Sequence, residues 1–383
     1  MQLHGFLFIF NSYFSSKSLH MKNLYLIIAL LLLTAAVVRA QNDNTETLIK
    51  EGITLHDKGE YKAALKKYNE VLAMDKNNGE AMYEASITYM SLKNYEKSIE
   101  YCDRLIATGE NATLAYINKG TALDLMGDYD KSVAVYKEGI EKYPDEFLLH
   151  FNLGITYMKG NEIKKAEMKM YDALQNNPEH SSSNLILAYT QVYQQSKVRA
   201  ILAFYYFLML ESGSPRARKA FIALNEMMGA GVTKEGSNKI NINIAADRDT
   251  TDPFYMADFY LSILSASMHS GDYAKMSESE KFYEYTKGFI DFIGDKVNTE
   301  AEHNFYINFY VRFLRDVEKE GLLKAYCYAI SATSIKESEN WVEKNKSEVI
   351  KLYDWFERYT SNNSLRDTKP IQMDPDQKIK KKR

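Results

Sequence analysis

The chain has 383 residues, with 48 Lys and Arg against 51 Asp and Glu, a net charge of −3. An acid-leaning balance argues against nucleic acid as a partner, because phosphates are met by a surplus of Lys and Arg. Two cysteines, Cys102 and Cys327, cannot build a disulfide framework, and six prolines among long stretches of helix formers point to an all-α chain.

Near the start, Lys22 precedes an uncharged apolar run, 24–38, followed by Arg39, Ala40 and Gln41. Fifteen apolar residues suit the core of a secretory signal and fall short of the roughly 18–20 that span a bilayer. Val38 and Ala40 supply the small residues of a cleavage site after Ala40, and Met21 makes a more ordinary initiator than Met1. The alternative is an uncleaved signal anchor. No Cys follows the run, so a lipid anchor on a Cys at +1 is excluded. Removal of 1–40 leaves 343 residues with 45 basic and 51 acidic side chains, enough for two domains and without a membrane span.

From residue 45 the sequence repeats without insertion or deletion, with starts near Thr45, Gly79, Thr113, Phe147 and Ser181. A small residue recurs at Gly52, Ser86, Gly120 and Gly154, and a larger one three residues on at Leu55, Tyr89, Leu123 and Tyr157. A second small residue follows at Ala64, Ser98, Ser132 and Ala166, then Tyr68, Cys102, Tyr136 and Met170. Gly in a helix interior costs about 1 kcal/mol relative to Ala, so its recurrence implies helices that must approach closely. Gly59-Glu60, Lys93-Asn94, Gly127-Asp128 and Gly160-Asn161 read as turns, with Asp or Asn capping the next helix. Tyr61, Tyr95, Tyr129 and Ile163 then give each hairpin an apolar contact, and Pro144 and Pro178 close the third and fourth units.

A constant period of about 34 residues with this rhythm resembles the tetratricopeptide repeat, a pair of antiparallel helices that stacks into a superhelix. The resemblance covers residues 45–214. It implies an all-α fold of about five repeats over 41–214, followed by a helical C-terminal domain, 215–361. The fifth unit keeps Ala188, Ala200 and Phe204 in phase but has Gln194-Gln195-Ser196 at its turn, which reads as a terminal, transitional repeat. Beyond Gly213 the period is lost while helical patterns continue at 215–228, 252–269, 279–293, 299–319, 322–334 and 339–359. Such a domain would cap the last repeat. Ile240 to Ile244 alternates with Asn, readable as a short strand or as an extended loop against the helices. The basic tail, 362–383, reads as disordered.

Catalytic and cofactor signatures are poor. Gly231, Gly236 and Ser237 imitate half a phosphate-binding loop but lack its Lys. Glu300 and His303 share a helix face, yet a di-metal site needs a second pair that none of the seven histidines supplies. No cofactor and no metal are expected. Cys102 fills a repeat packing slot, so two separate buried thiols are expected over a bridge. The aromatic stretch 305–310 would suit carbohydrate stacking, but aromatics at helical spacing read first as core.

In the family that the repeats resemble, the first helix of each unit lines a concave face. The resemblance places Ile49, Ile53 and His56 there, then Tyr83, Ile87 and Met90, then Ile117, Thr121 and Asp124, then Phe151, Ile155 and Met158, and last Leu185, Tyr189 and Val192. Asn118 and Asn152 stand beside this mostly apolar face as hydrogen-bonding groups. Members that clamp a C-terminal carboxylate carry Lys and Asn where this chain has Ile49 and Ile53, so that clamp is absent. The face suits an apolar peptide or partner helix, which implies a non-enzymatic adaptor. Two readings stand against it. The C-terminal domain could fold back and fill the groove, or 215–361 could hold an active site with the repeats as a docking arm. A signal, a repeat array and a helical C-terminus together resemble envelope proteins of Gram-negative bacteria, which implies the periplasm or association with outer-membrane complexes.

Overall fold

The computed structural model describes residues 43–235, 239–243, 250–296 and 304–362. The apolar run 24–38, Glu300, His303, Gly236, Ser237 and the basic tail lie outside the described residues. The chain forms two compact units, one up to Met126 and the other from Gly127 onward.

The first unit holds α1 (43–57), α2 (Tyr61–Met74), α3 (Gly79–Ser91), α4 (Tyr95–Thr108) and α5 (Ala112–Met126). Its helices alternate along the chain, each packed on the next, and bury Ile49, Tyr68, Val71, Met82, Cys102 and Leu105 in one core. The small–large rhythm is the geometry of these hairpins. A Cβ added at Gly52 would come within 2.4 Å of the Tyr68 ring, and one at Gly154 within 2.3 Å of Met170 Cε. In both pairs the first helix thus leaves a bare patch for the large side chain opposite.

The second unit opens with α6 (Tyr129–Lys142), α7 (Phe147–Lys159), α8 (Ile163–Asn176), α9 (Ser181–Tyr193) and α10 (Lys197–Leu210). Five hairpin turns pass through the left-handed region, at Gly59, Lys93, Gly127, Asn161 and Gln195, the same position of each successive repeat. The fifth hairpin is therefore a full member of the series, because Gln195 (φ 57°) adopts the conformation that Gly supplies elsewhere. In the fourth turn the left-handed residue is Asn161. Gly160 has φ −76° and instead makes room for the Tyr129 ring, which a Cβ would meet at 2.5 Å. Asn94 caps α4 by accepting from Lys97 N at 3.2 Å, whereas the Asp128 carboxylate pairs with Lys131 at 2.8 Å and leaves α6 uncapped.

Stacking continues past the fifth hairpin. Helix α11 (Pro215–Gly229) starts one repeat period after α9 and packs on α10 as α9 packs on α8. The succession then changes to a hairpin, β1 (Val232–Glu235) antiparallel to β2 (Lys239–Ile242) with Val232 opposite Ile242, so the alternating Ile-Asn run is a strand as far as Ile242. There follow α12 (Tyr255–Ser267), α13 (Glu278–Lys296), a π-helical turn Tyr306–Val311 running into α14 (Arg312–Lys319), α15 (Leu323–Ser331), α16 (Lys336–Lys344) and α17 (Lys346–Asn362). The single helix expected at 339–359 is two, broken at Asn345 (φ −118°, ψ 40°), whose amide donates to Trp341 O at 2.8 Å.

Helix α10 ties the last repeat to the helices that follow it. Every residue from Lys197 to Met209 except Arg199 is buried, so the helix is apolar all round and needs neighbours on every side. It packs on α9 and α11, and also on α12, α15 and the π turn. Tyr206 alone meets Phe309, Tyr310, Phe313 and Phe356 with ring centroids 4.6–6.0 Å away. The last repeat and the C-terminal helices share one core. Cys102 and Cys327 are both buried and unbridged.

Replacing Gly52 or Gly154 with Leu should force these helix pairs apart and destabilise the protein by about 1–3 kcal/mol. Gly213, with nothing within 4 Å of an added Cβ, should accept Ala with little change. Thermal unfolding followed by circular dichroism checks all three. Equal midpoints throughout would contradict the packing described.

Candidate functional site

The residues predicted to line the concave face lie on the first helix of each hairpin: α1, α3 and α5 in the first unit, α7 and α9 in the second. Polar links between consecutive first helices fix their spacing. In the first unit His56 Nδ1 lies 2.8 Å from Thr88 Oγ1, and Asn118 Nδ2 donates to Ser86 Oγ at 3.1 Å. Ser86 itself donates to Tyr83 O at 2.7 Å. Asn118 therefore uses its amide inside the stack, and Asn152 likewise donates to Leu148 O at 2.7 Å.

Burial separates the predicted residues into two groups. Ile49 is 2% exposed and Leu185 8%, so both are core and neither is open to a ligand. Ile53, His56, Tyr83, Ile87, Met90, Ile117, Thr121 and Asp124 are half-buried in the first unit. In the second, Phe151, Asn152, Ile155, Met158, Tyr189 and Val192 are also half-buried. Their rings are held from beneath. Phe151 meets the edge of His180 at 4.8 Å, and Tyr189 meets Phe204 of its own hairpin at 5.4 Å. Rings fixed in this way lose little freedom when another surface covers them.

His180 lies beside Arg216. Its Nδ1 lies 2.7 Å from Ser183 Oγ, and burial, then the nearby Arg216 guanidinium, hold its imidazole below the usual value. Arg216 donates to Glu211, Ser182 and Ser181.

Contacts between the C-terminal helices and the repeats have no counterpart in the sequence pattern. Phe305 and Tyr306 meet Tyr171 of α8 at 5.2 and 5.9 Å, and Tyr310 donates its hydroxyl to Asn184 Oδ1 of α9 at 2.7 Å. Arg199 of α10 forms a two-pronged pair with Asp252 at 2.7 and 3.0 Å, and the Asp258 carboxylate accepts from Val198 N at 3.1 Å, capping α10 from α12. A cavity of about 290 Å³ beside this pair is lined by Gln194, Arg199, Asp252, Phe254 and Asp258, among others. The aromatic stretch 305–310 is core, not a stacking platform. Among the described residues no three His, Cys, Asp or Glu side chains converge as a metal set, and no helix is long and apolar enough to cross a membrane.

Residues 55–116 and 117–181 each match a family model described as tetratricopeptide repeat, so this part of the chain consists of tetratricopeptide repeats. A TPR repeat-containing protein of Methanocaldococcus jannaschii is 30% identical over 130 residues, which cover 34% of this chain and 22% of that protein. The BBSome complex member BBS4 of Bos taurus is 29% identical over 108 residues, 28% of this chain and 21% of BBS4. The matched regions thus span about a fifth of these relatives. A thermophilic TPR protein of Thermus thermophilus has a solved structure with TM-score 0.39 and 19% identity, covering 48% of this chain and 98% of that one.

The His180 geometry gives a pH prediction. A folded-state value held below the unfolded one, about 6.5, stabilises the fold above that pH, and the contribution is lost as pH falls through the folded value. Denaturant midpoints measured from pH 7.5 down to 5 should fall more steeply in the wild type than in His180→Gln. Parallel slopes would remove His180 from the acid response.

Proposed function

We propose that the protein is a non-enzymatic adaptor that holds an apolar peptide segment or partner helix on the concave faces of its repeats. The observation that carries this reading is the recurring half-buried apolar set, led by Tyr83 and Ile87 in the first unit and Phe151, Ile155 and Tyr189 in the second. Large side chains fixed on their inner side and open on the other are the usual form of interface anchors. Tetratricopeptide proteins generally mediate protein–protein interaction, which fits. Occupation by a partner, rather than by the chain's own C-terminal helices, is favoured by where those helices attach. The contacts described above fall on α10, Tyr171 and Asn184, and none of these is a concave triplet position.

The working place we propose is the bacterial envelope, with residues 1–40 removed on export, on the evidence of the apolar run 24–38 and the Val38-Arg39-Ala40 ending. Mass spectrometry of the protein recovered from its own cells should give a mature chain beginning at Gln41. A chain that retains 24–38 would make it a membrane-anchored protein.

Replacing Tyr83 and Phe151 together with Ala removes one anchor from each unit. Affinity for a partner captured from the envelope fraction should fall by at least about 2 kcal/mol, roughly thirtyfold, while the unfolding curve stays close to wild type. Unchanged affinity would remove the concave faces from the mechanism.

A further inference from the structure

Helix α11 stands in the repeat register. Arg216 on its first turn donates to Ser182 Oγ at 2.9 Å and to Ser181 Oγ at 3.3 Å, reaching back one period to the start of α9. At its far end Lys197 Nζ donates to Ala230 O at 3.0 Å. Tyr129 and Glu162, joined at 2.5 Å, occupy the same two positions of the repeat two periods earlier. Burial, and then the Glu226 carboxylate of α11, push the Tyr189 hydroxyl above its usual value. So α11 is the first helix of a sixth unit that has no second helix.

The period then assigns a further rung to the concave face of the second unit. One period beyond Leu185, Tyr189 and Val192 stand Lys219, Ala223 and Glu226. Where α7 offers Phe151, and α9 Leu185, the sixth helix offers a cation. Lys219 is exposed and makes no ion pair with a described residue. The one acid in the stretch 211–219, Glu211, is already engaged by Arg216, Ser214 and Ser181, so that stretch supplies no counter-charge to Arg218 and Lys219. Glu226 lies two turns away, about 10 Å along the helix axis, so the rung is positive at one end and negative at the other.

We propose that Lys219 receives an acidic side chain of the segment whose apolar side chains rest on Phe151, Ile155 and Tyr189, and so sets the register and direction in which that segment binds. This rests on the adaptor reading above. An exposed charge contributes more to choice of partner and association rate than to raw affinity, so the test is one of selectivity.

Random twelve-residue peptides displayed on phage are selected on the full chain, on Lys219→Glu, and on a Phe151→Ala/Tyr189→Ala double variant, each shown to fold by circular dichroism. The wild type should enrich apolar sequences that carry Asp or Glu at one fixed spacing from the apolar residues. Lys219→Glu should exchange that acid for Lys or Arg, and should bind a synthetic wild-type-selected peptide at least tenfold more weakly at low salt. Enrichment of apolar sequences with no acidic position, bound equally by Lys219→Glu, would overturn the role of Lys219 and leave the groove reading standing. Selected peptides that bind the double variant as well as the wild type, or a library with no wild-type binder, would remove the groove reading and this inference with it.

Discussion

The structure depends on how closely two helices of a hairpin can approach. Gly52 faces Tyr68 and Gly154 faces Met170, each across a gap that no Cβ could share. A large side chain is buried at no cost in cavity because its partner helix has no side chain there. Ser86 fills the same role with a hydroxyl that donates to Tyr83 O and accepts from Asn118, and here the large side chain is replaced by the buried Cys102. One contact, repeated with different chemistry, sets the helix spacing. The spacing in turn sets which residues of α1, α3, α5, α7 and α9 are left half-covered.

The second constraint is α10. A helix apolar on every side cannot end a stack against water, and a terminal repeat must be capped. Here the cap is continuous with the chain. The π turn, α12, α13, α14 and α15 close over α10, whose Tyr205 and Tyr206 meet the rings of Phe289, Phe309 and Phe313, and Asp258 completes the α10 N-terminus. The wider turn at Tyr306–Val311 brings Phe305, Tyr306, Phe309 and Tyr310 to α8, α9 and α10 together. That placement makes the aromatic stretch core.

The repeats are legible in the sequence because close packing leaves a mark at fixed spacing, and small residues in helices are costly enough to be informative. The fifth turn is harder to read, since Gln195 reaches a left-handed conformation usually marked by Gly. Helix α11 escapes the pattern for a physical reason. Ile222 occupies the small-residue slot and is 52% exposed, because a sixth unit without a second helix has nothing to press against that position. On the concave face, period assigns a side chain to a helix face but not its depth. Ile49 sinks into the core formed by Tyr68, Met82 and their neighbours, while Ile53, one turn on, stays half-covered. The C-terminal contacts, such as Tyr310 with the distant Asn184, follow from no local pattern.

If the residues from Gly127 onward share one core through α10, they should open as one cooperative unit. Native-state hydrogen exchange across a denaturant series tests this directly. A shared core predicts that the most protected amides of α8, α9 and α10 and those of α13 and α15 converge on a single opening free energy and a single denaturant dependence. Opening of α13 and α15 at markedly lower free energy, with α8 to α10 still protected, would show that the C-terminal helices form a separate domain.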